Sequence, residues 1–382
     1  MLVYLDNNAT TALDPRVLEA MMPYLREQYA NPSSIHYFGQ QARHAVETAR
    51  EQVAAAIGAK PRQIVFTGGG TEANALAIRG TLAARPDKRH FVTTRIEHDS
   101  VLRLAEQLAR EGYRVTYIGV DRAGRVDPAE FEAAMSDDTA LASIMHANNE
   151  TGVIQPIQAL AEIAAARRVP LHTDATQSVG KLPVDVSKLP VSLLTMAAHK
   201  FHGPKGVGVL YIARGTRVLP QLLGGHQERD LRAGTENVAG VVGTGEAIRL
   251  AIEHLGEENT RVRGLRDRLE AGLLASIPAA HPIGDREHRL PNTANIGFEG
   301  LQAEAILMLL SNEGICASSG SACSSGSLEP SHVLQAMGVP EAIAHGAIRF
   351  SLSRFNQDAD VDRVLEIMPR AIERLRAIER TR

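Results

Sequence analysis

Tryptophan is absent from this chain and aromatic residues make up only 4% of it, so the core it builds is aliphatic. Two cysteines, Cys316 and Cys323, are too few for a disulfide framework in a chain of 382 residues. Their scarcity fits a reducing, cytoplasmic setting, where a lone thiol is either inert or catalytic. No apolar run approaches the ~20 residues that span a bilayer, so no membrane helix is expected. The opening Met1-Leu2-Val3-Tyr4-Leu5-Asp6-Asn7-Asn8 has no basic stretch followed by an apolar block, and no secretory signal is expected either. Strong charge of one sign is also missing. A formal net charge of -3 points to neither nucleic acid nor a membrane surface as the partner. What remains is 44% apolar and 22% charged, an ordinary globular composition in a chain long enough for two domains.

Short apolar runs alternate with helical patterns through the middle of the chain. Strands are expected at Ile64–Thr67, Phe91–Thr93, Val115–Ile118, Leu141–Met145, Leu171–Thr173, Leu193–Met196 and Val207–Ile212. Helices are expected between them, at Thr71–Ala83, Ser100–Glu111 and Leu160–Arg168. This alternation predicts an α/β fold built on a mostly parallel seven-stranded sheet with helices on both faces. A long helical segment, Val238–Ser276, follows. Beyond it, strands at Asn292–Phe298, Ile315–Ser319 and Ala347–Ser353 and a charged helix at Asp360–Arg380 read as a smaller α/β unit. The expected division is a large domain over residues 15–255 and a small one from residues 1–14 and 256–382. The Ser/Gly-rich stretch Ser318 to Ser327, which holds Cys323, reads as a loop of the small domain.

Ligands of mostly parallel sheets sit at the carboxyl ends of the strands, and the chemistry-bearing residues fall there. Lys200 closes the apolar run Leu193 to Ala198 just before a Gly/Pro-rich turn. Burial at that position disfavours the ammonium and suits an amine that must become a nucleophile. Asp174 ends the preceding apolar stretch. Asp-then-Lys on neighbouring strand ends is what a pyridoxal phosphate enzyme needs, the lysine for the Schiff base and the carboxylate for the pyridinium nitrogen. Thr67-Gly68-Gly69-Gly70-Thr71-Glu72 opens a helix after a strand. Its N–H groups suit a phosphate, with Thr71 as cap and donor, although a plain glycine turn has the same sequence. His98 either stacks on an aromatic cofactor and shuttles protons or simply satisfies a helix start. Asn149 offers a donor and an acceptor just past a strand, or is a turn residue. Cys323 sits among small residues that leave a thiol accessible, whereas Cys316 reads as a small core residue. The two cysteines, with no histidine cluster nearby, do not make a metal site.

Taken together, these segments resemble the cysteine desulfurases of the NifS/IscS kind, within the fold-type I pyridoxal phosphate enzymes. The resemblance runs almost end to end. It covers Tyr4 to Thr11, Asn31-Pro32-Ser33-Ser34, Gly69 to Asn74, Asn148-Asn149-Glu150-Thr151-Gly152, His199-Lys200, Arg232 to Asn237, Ser318 to Ser325 and Ile348 to Leu352. It implies a homodimer with a shared active site, L-cysteine as substrate and pyridoxal 5'-phosphate as cofactor. Lys200 would hold the cofactor and take the Cα proton, while His98 would stack on the ring. Asp174 would pair with the ring nitrogen, and Asn149 and Gln177 would reach the phenolic oxygen. Gly70, Thr71 and His199 would hold the phosphate, with Thr235 coming from the second subunit. Arg349, and Asn149 with it, would bind the substrate carboxylate. Cys323 would take the sulfur as a persulfide for an acceptor protein, either an iron–sulfur scaffold or a thio-carrier.

In two places the chain departs from the family pattern. It stops soon after the last helix, at Thr381-Arg382, where relatives that feed an iron–sulfur scaffold often carry a docking tail, so that particular partner is not the expected one. The family usually has serine three residues before the lysine, donating to the phosphate, and this chain has Ala197. Two other activities fit parts of the pattern. One is a selenocysteine or cysteine lyase on the same fold, against which the long cysteine loop argues. The other is a non-catalytic sulfur- or cluster-binding relative, against which intact Lys200, His98 and Asp174 argue.

Overall fold

The computed structural model describes residues 2–319 and 330–379. After a short first strand, β1 (Val3–Tyr4), come β2 (Ile64–Thr67), β3 (His90–Thr94), β4 (Arg114–Ile118), β5 (Thr139–Ser143), β6 (Leu171–Asp174), β7 (Leu193–Ala197) and β8 (Gly208–Ile212). These last seven form one sheet in the order β2-β8-β7-β6-β5-β3-β4. Pairing is parallel from β7 to β4, while β8 runs antiparallel to both β7 and β2. All seven expected strands are present, with ends displaced by a residue or two. Gly208 is what lets β8 enter the sheet, because a Cβ there would overlap the Gly69 backbone.

Side chains alternate across the sheet, and two apolar layers result. Val65, Phe91, Leu141 and Leu193 pack with Ala73, Leu76 and Ala77 of the helix Gly70–Ala83. Ile64, Phe66, Val92 and Leu194 pack on the other face, with Val46 and Val53 of the helix Tyr37–Ala56 and Ala247 and Ile248 of the helix Val238–Glu253. Each Val, Leu, Ile or Phe side chain among them contributes roughly 1.5–3 kcal/mol by leaving water.

A second apolar cluster forms around β9 (Ala280–Pro282), β10 (Thr293–Phe298) and β12 (Ala347–Ser351), an antiparallel sheet ordered β12-β10-β9. Ile296, Phe298 and Phe350 meet Leu269, Ile306 and Val364 from the helices Arg263–Ser276, Ala303–Asn312 and Asp358–Glu379. Val3 and Leu5 belong to this cluster, because β1 pairs in parallel with β11 (Ile315–Cys316).

Three local expectations are corrected. The segment Val238–Ser276 is not one helix. It breaks after Glu253 and passes through a π-type turn at Glu258–Val262 before Arg263–Ser276. There the Asn259 amide donates to the Leu255 carbonyl at 2.9 Å and to the Lys181 carbonyl at 2.8 Å, a side chain drawn into the helical ladder. The strand expected at Ile315–Ser319 is only two residues long, with one further bridge from Ser318 to Arg349. Cys316 is half-buried rather than a core residue, since in this two-stranded pair it is Ile315 that faces the apolar cluster.

A buried ion pair anchors the segment that leads to Thr235. Arg50 donates to both oxygens of Glu228 at 2.7 and 2.8 Å, and the same carboxylate accepts from the Phe66 N–H at 2.9 Å. Glu228, Arg229 and Asp230 all adopt positive φ, between 46° and 64°, a backbone state that costs on the order of 1 kcal/mol or more per residue outside glycine. Both charged groups are buried, and Arg50 has a second, half-exposed partner in Glu47 at 3.2 Å. Removing Arg50 is therefore the costlier change, leaving the buried Glu228 carboxylate without its ion pair at a loss of about 3–5 kcal/mol.

Candidate active site

The carboxyl ends of β2, β3, β5, β6 and β7 deliver the predicted residues to one place. Asp174 ends β6 and lies opposite Thr195 of β7, five residues before Lys200. Beyond β7 the chain makes a short helical turn, Ala198–Lys200, which brings the lysine under the N-terminal segment. The Lys200 ammonium donates to the carbonyls of Asn8 at 2.5 Å and Ala9 at 2.7 Å. Among the described residues it has no carboxylate partner. Its pKa falls from 10.5 to about 7. Burial is the main cause, followed by the charges of Lys181 and Arg349, with Asp174 and Asp6 pulling the other way. At neutral pH a large share of this amine is therefore uncharged.

Asn8 gathers most of the site. Its carbonyl accepts from Lys200 and also from the Gln177 amide at 2.9 Å. Its side chain donates to the Asn149 carbonyl at 3.1 Å and to the Thr293 hydroxyl at 2.9 Å, and accepts from Asn292 at 3.0 Å. The Asn149 carbonyl also accepts from Arg349 at 2.9 Å. Asn149 is held by a tight turn in which Asn148 Oδ1 accepts from the Glu150 and Thr151 N–H groups. Gly152 closes that turn at φ 76°, packed against Thr293. The Asn149 side chain makes no hydrogen bond among the described residues.

Arg349 is 2% exposed, in the middle strand position of β12. Its guanidinium spans the Asn149 carbonyl and the Asp6 carboxylate, at 2.9 and 2.6 Å. A planar fork already set for a carboxylate is the geometry that a substrate carboxylate requires.

Asp174 and His98 are joined through two residues that the sequence does not single out. Asp174 Oδ2 accepts from Asn74 at 2.8 Å, and its Oδ1 accepts from the Thr176 N–H at 2.9 Å. Asn74 also donates to the Ser100 hydroxyl, which lies 2.9 Å from His98 Nδ1. The Ser100 N–H donates to the same ring nitrogen at 3.1 Å, so His98 caps the helix Asp99–Arg110. The helix-start reading therefore holds for Nδ1. An Nδ1 that accepts a backbone N–H leaves the proton of the neutral ring on Nε2.

At the glycine turn the helix begins with Gly70, capped by Gly69. Thr71 is thus in the first turn rather than at the cap. Glu72 braces this turn, accepting from the Gly68 N–H at 2.8 Å and from Arg232 at 2.8 Å. A Cβ on Gly70 would lie 3.4 Å from the Ala197 methyl and 3.6 Å from the Thr176 hydroxyl. That hydroxyl is buried with no hydrogen-bond partner among the described residues, an unusual state for a polar atom. His199 lies nearby in the chain, its Nδ1 3.1 Å from the Thr10 hydroxyl. Burial and then the lysine charges push its pKa down to about 4, so the ring is neutral.

Two predicted residues are not brought into this cluster. Thr235 is exposed and makes no side-chain hydrogen bond among the described residues. Cys323 lies outside the described residues. The chain on either side of them is tied to the site. Ser318 exchanges backbone hydrogen bonds with Arg349 at 2.7 and 3.2 Å. The Ser331 hydroxyl donates to Glu150 at 2.5 Å, and His332 Nε2 lies 3.0 Å from the Glu97 carbonyl.

Residues 3–364 match the aminotransferase class-V family. The chain belongs to that family. Among curated relatives, the cysteine desulfurase of Trichormus azollae is 54% identical over 376 residues, covering 98% of this chain and 94% of the relative. The cysteine desulfurase NifS of Azotobacter vinelandii is 50% identical over 377 residues, with the same coverage. A solved NifS-like protein superimposes with a TM-score of 0.93 at 41% identity, covering 98% of this chain and all of the other. A structure described as SspA in complex with cysteine gives a TM-score of 0.82 at 35% identity, covering 93% of this chain and 99% of that one. The fold-type I, class-V architecture expected from the motifs is thereby borne out. No helix among the described residues is long and apolar enough to cross a membrane, and no metal-binding cluster is found among them.

Proposed function

We propose that this protein is a cysteine desulfurase dependent on pyridoxal 5'-phosphate. It removes sulfur from L-cysteine, releases L-alanine and keeps the sulfur as a persulfide on Cys323 for an iron–sulfur scaffold or thio-carrier protein. The observation that carries the proposal is the Lys200 amine, lodged under the carbonyls of Asn8 and Ala9 with no carboxylate partner among the described residues and a pKa of about 7. Relatives called cysteine desulfurases at 50% identity or more over nearly the whole chain support it, as does a fold neighbour solved with cysteine.

The donor set fits the cofactor. It supplies a lysine amine whose pKa burial lowers to about 7, a carboxylate held on both oxygens, and a helix start beside a buried hydroxyl that has no partner among the described residues. Lys200 would hold the cofactor, Asp174 its ring nitrogen, and Asn149 and Gln177 its phenolic oxygen. Gly70, Thr71 and His199 would hold its phosphate, with Thr235 from a second copy of the chain. When bound, the cofactor supplies an electron sink for the reacting carbon of the substrate. The protein's own groups do the rest. Arg349 clamps the cysteine carboxylate and Lys200 Nζ receives and returns the Cα proton, while His98 Nε2 serves as the second proton site. The Cys323 thiolate attacks the substrate sulfur, so that one C–S bond breaks and one S–S bond forms. Summed over the turnover, L-cysteine and the enzyme thiol become L-alanine and the enzyme persulfide.

The proposal includes a division into a large domain, residues 15–255, and a small one, residues 1–14 and 256–382, supported by the two separate apolar clusters. It also includes a homodimer. Exposed Leu222 and Leu223 in the segment leading to Thr235 support this, since exposed apolar side chains beside an isolated site residue suit a subunit contact. A cytoplasmic setting completes the reading, supported by the two-cysteine composition.

The test is direct. Protein loaded with the cofactor and given L-cysteine with a thiol reductant should form alanine and sulfide in equal amounts. Without reductant, the peptide containing Cys323 should gain one sulfur. No alanine from the loaded protein would overturn the proposal. Ala197 gives a second measurement. Ala197→Ser places a hydroxyl beside Gly70 and the Thr176 hydroxyl, and it is expected to tighten cofactor retention by about 1–2 kcal/mol, roughly 5- to 30-fold. Dialysis followed by absorbance of the retained cofactor measures this.

A further inference from the structure

One buried charge near the site has no part in the chemistry above. Lys181 is only 5% exposed and, among the described residues, forms no ion pair. A buried ammonium without a carboxylate partner is costly and needs a reason. Its Nζ donates to the Gln177 carbonyl at 3.0 Å and to Gln177 Oε1 at 3.3 Å. An ammonium has donors only. The end of the Gln177 amide that faces it must therefore be the oxygen, and the NH₂ end is turned the other way. That NH₂ donates to the Asn8 carbonyl at 2.9 Å, the same oxygen that holds Lys200 at 2.5 Å. Lys181, Gln177, Asn8 and Lys200 thus stand in one line of donors and acceptors.

We propose that Lys181 is a positioning residue for this site: it fixes which end of the Gln177 amide faces the Asn8 carbonyl, and it sets a positive charge behind the Lys200 amine. The inference rests on the cofactor role given to Lys200 above and adds to it a residue that acts through Gln177 and the Asn8 carbonyl. The electrostatics agree with the geometry. After burial, Lys181 is the largest influence lowering the Lys200 pKa, and it also lowers that of His199.

The groups facing Lys181 come from several elements. Glu258 lies in the π-type turn, Arg349 on β12, and Lys200, His199 and His202 in the segment after β7. Burial pushes Glu258 up and Lys181 down, while the charge of each opposes the other's shift. A carboxyl raised in this way carries less negative charge at neutral pH than an ordinary glutamate. It leaves the Lys181 charge felt at Lys200.

The test reads the amine itself. In the full-length protein freed of cofactor, the rate of reductive methylation at Lys200, followed by peptide mass spectrometry across pH, reports its protonation. Lys181→Met is expected to move that titration upward by about one pH unit, a tenfold change in the protonation equilibrium. Lys181→Arg, which keeps the charge, should leave it near the intact value. In the cofactor-loaded protein the acid limb of kcat for L-cysteine should move in the same direction. Lys181→Gln replaces the methionine variant if that one does not fold. A titration moved by at least half a unit in the neutral variant but not in the arginine variant supports the inference. A smaller movement, or an equal one in both, overturns it. A purely structural lysine would lower the yield or Tm of folded protein without moving the titration. If the loaded protein makes no alanine, the desulfurase reading fails, while the labelling of Lys200 still decides the role of Lys181.

Discussion

Lys200→Ala is expected to reduce alanine formation from L-cysteine by on the order of 10³-fold or more, with the fold intact. Two losses combine in that figure. The amine that holds the cofactor disappears, and so does the base for the Cα proton, a role that by itself typically contributes about 10²–10⁴-fold. Lys200→Arg should fare little better, because a guanidinium stays protonated above pH 12 and accepts no proton. A small amine such as methylamine, added to the alanine variant, should restore a fraction of the rate. Alanine release and the cofactor's visible absorbance measure both effects. The intact protein's pH dependence follows from the same residue. Its pKa is lowered from 10.5 to about 7, so the active, neutral amine forms as pH rises through about 7 and is lost below it. Activity should therefore climb between about pH 6 and 8. A profile flat across that range would separate Lys200 from the proton transfer.

Cys323→Ser is expected to abolish sulfur removal to a similar degree while leaving cofactor binding unchanged. A serine hydroxyl is essentially never ionised at neutral pH, whereas a free thiol with a pKa of roughly 8.5 is partly thiolate. Deleting a covalent nucleophile commonly costs on the order of 10³-fold or more. The other thiol provides the control. Cys316 sits in β11, paired with Tyr4, and its carbonyl accepts from the Leu5 N–H at 2.8 Å. These are backbone duties that serine can perform, so Cys316→Ser should keep most of the activity. Persulfide mapping by mass spectrometry should find the added sulfur on Cys323 alone. Retained turnover in the Cys323 variant, or sulfur on Cys316, would reassign the nucleophile.

The sheet was readable in the sequence because each of its strands is a short apolar run closed by a turn, and because buried strands show little else. The site residues were readable for a related reason: Asp174, Asn149, His98 and Lys200 each follow such a run, where ligands of an α/β sheet gather. Asn8 was not readable as a hub. Its partners lie 141, 284 and 285 positions away, and no local pattern carries that information. Lys181 was hidden in the same way, in Val179-Gly180-Lys181-Leu182, where a lysine looks like an ordinary surface charge. The break in the segment Val238–Ser276 has no proline to mark it, and it depends on a contact between the Asn259 side chain and the Lys181 carbonyl, 78 positions away. The pairing of Arg349 with Asp6 joins positions 343 apart, and only the fold reveals it.

Among the described residues, the two acceptors of the Lys200 amine are main-chain carbonyls, those of Asn8 and Ala9. No side-chain substitution can delete either atom. A mutational scan of residues 8 and 9 would report on the Asn8 amide and its links to Asn149, Thr293 and Asn292, yet stay blind to the contacts that seat the amine. What seats the amine at this point is the path of the chain, not the chemistry of a side chain. Variants that displace the Leu5 to Thr11 segment as a whole are the ones that would expose it, and a scan scored residue by residue would pass over them.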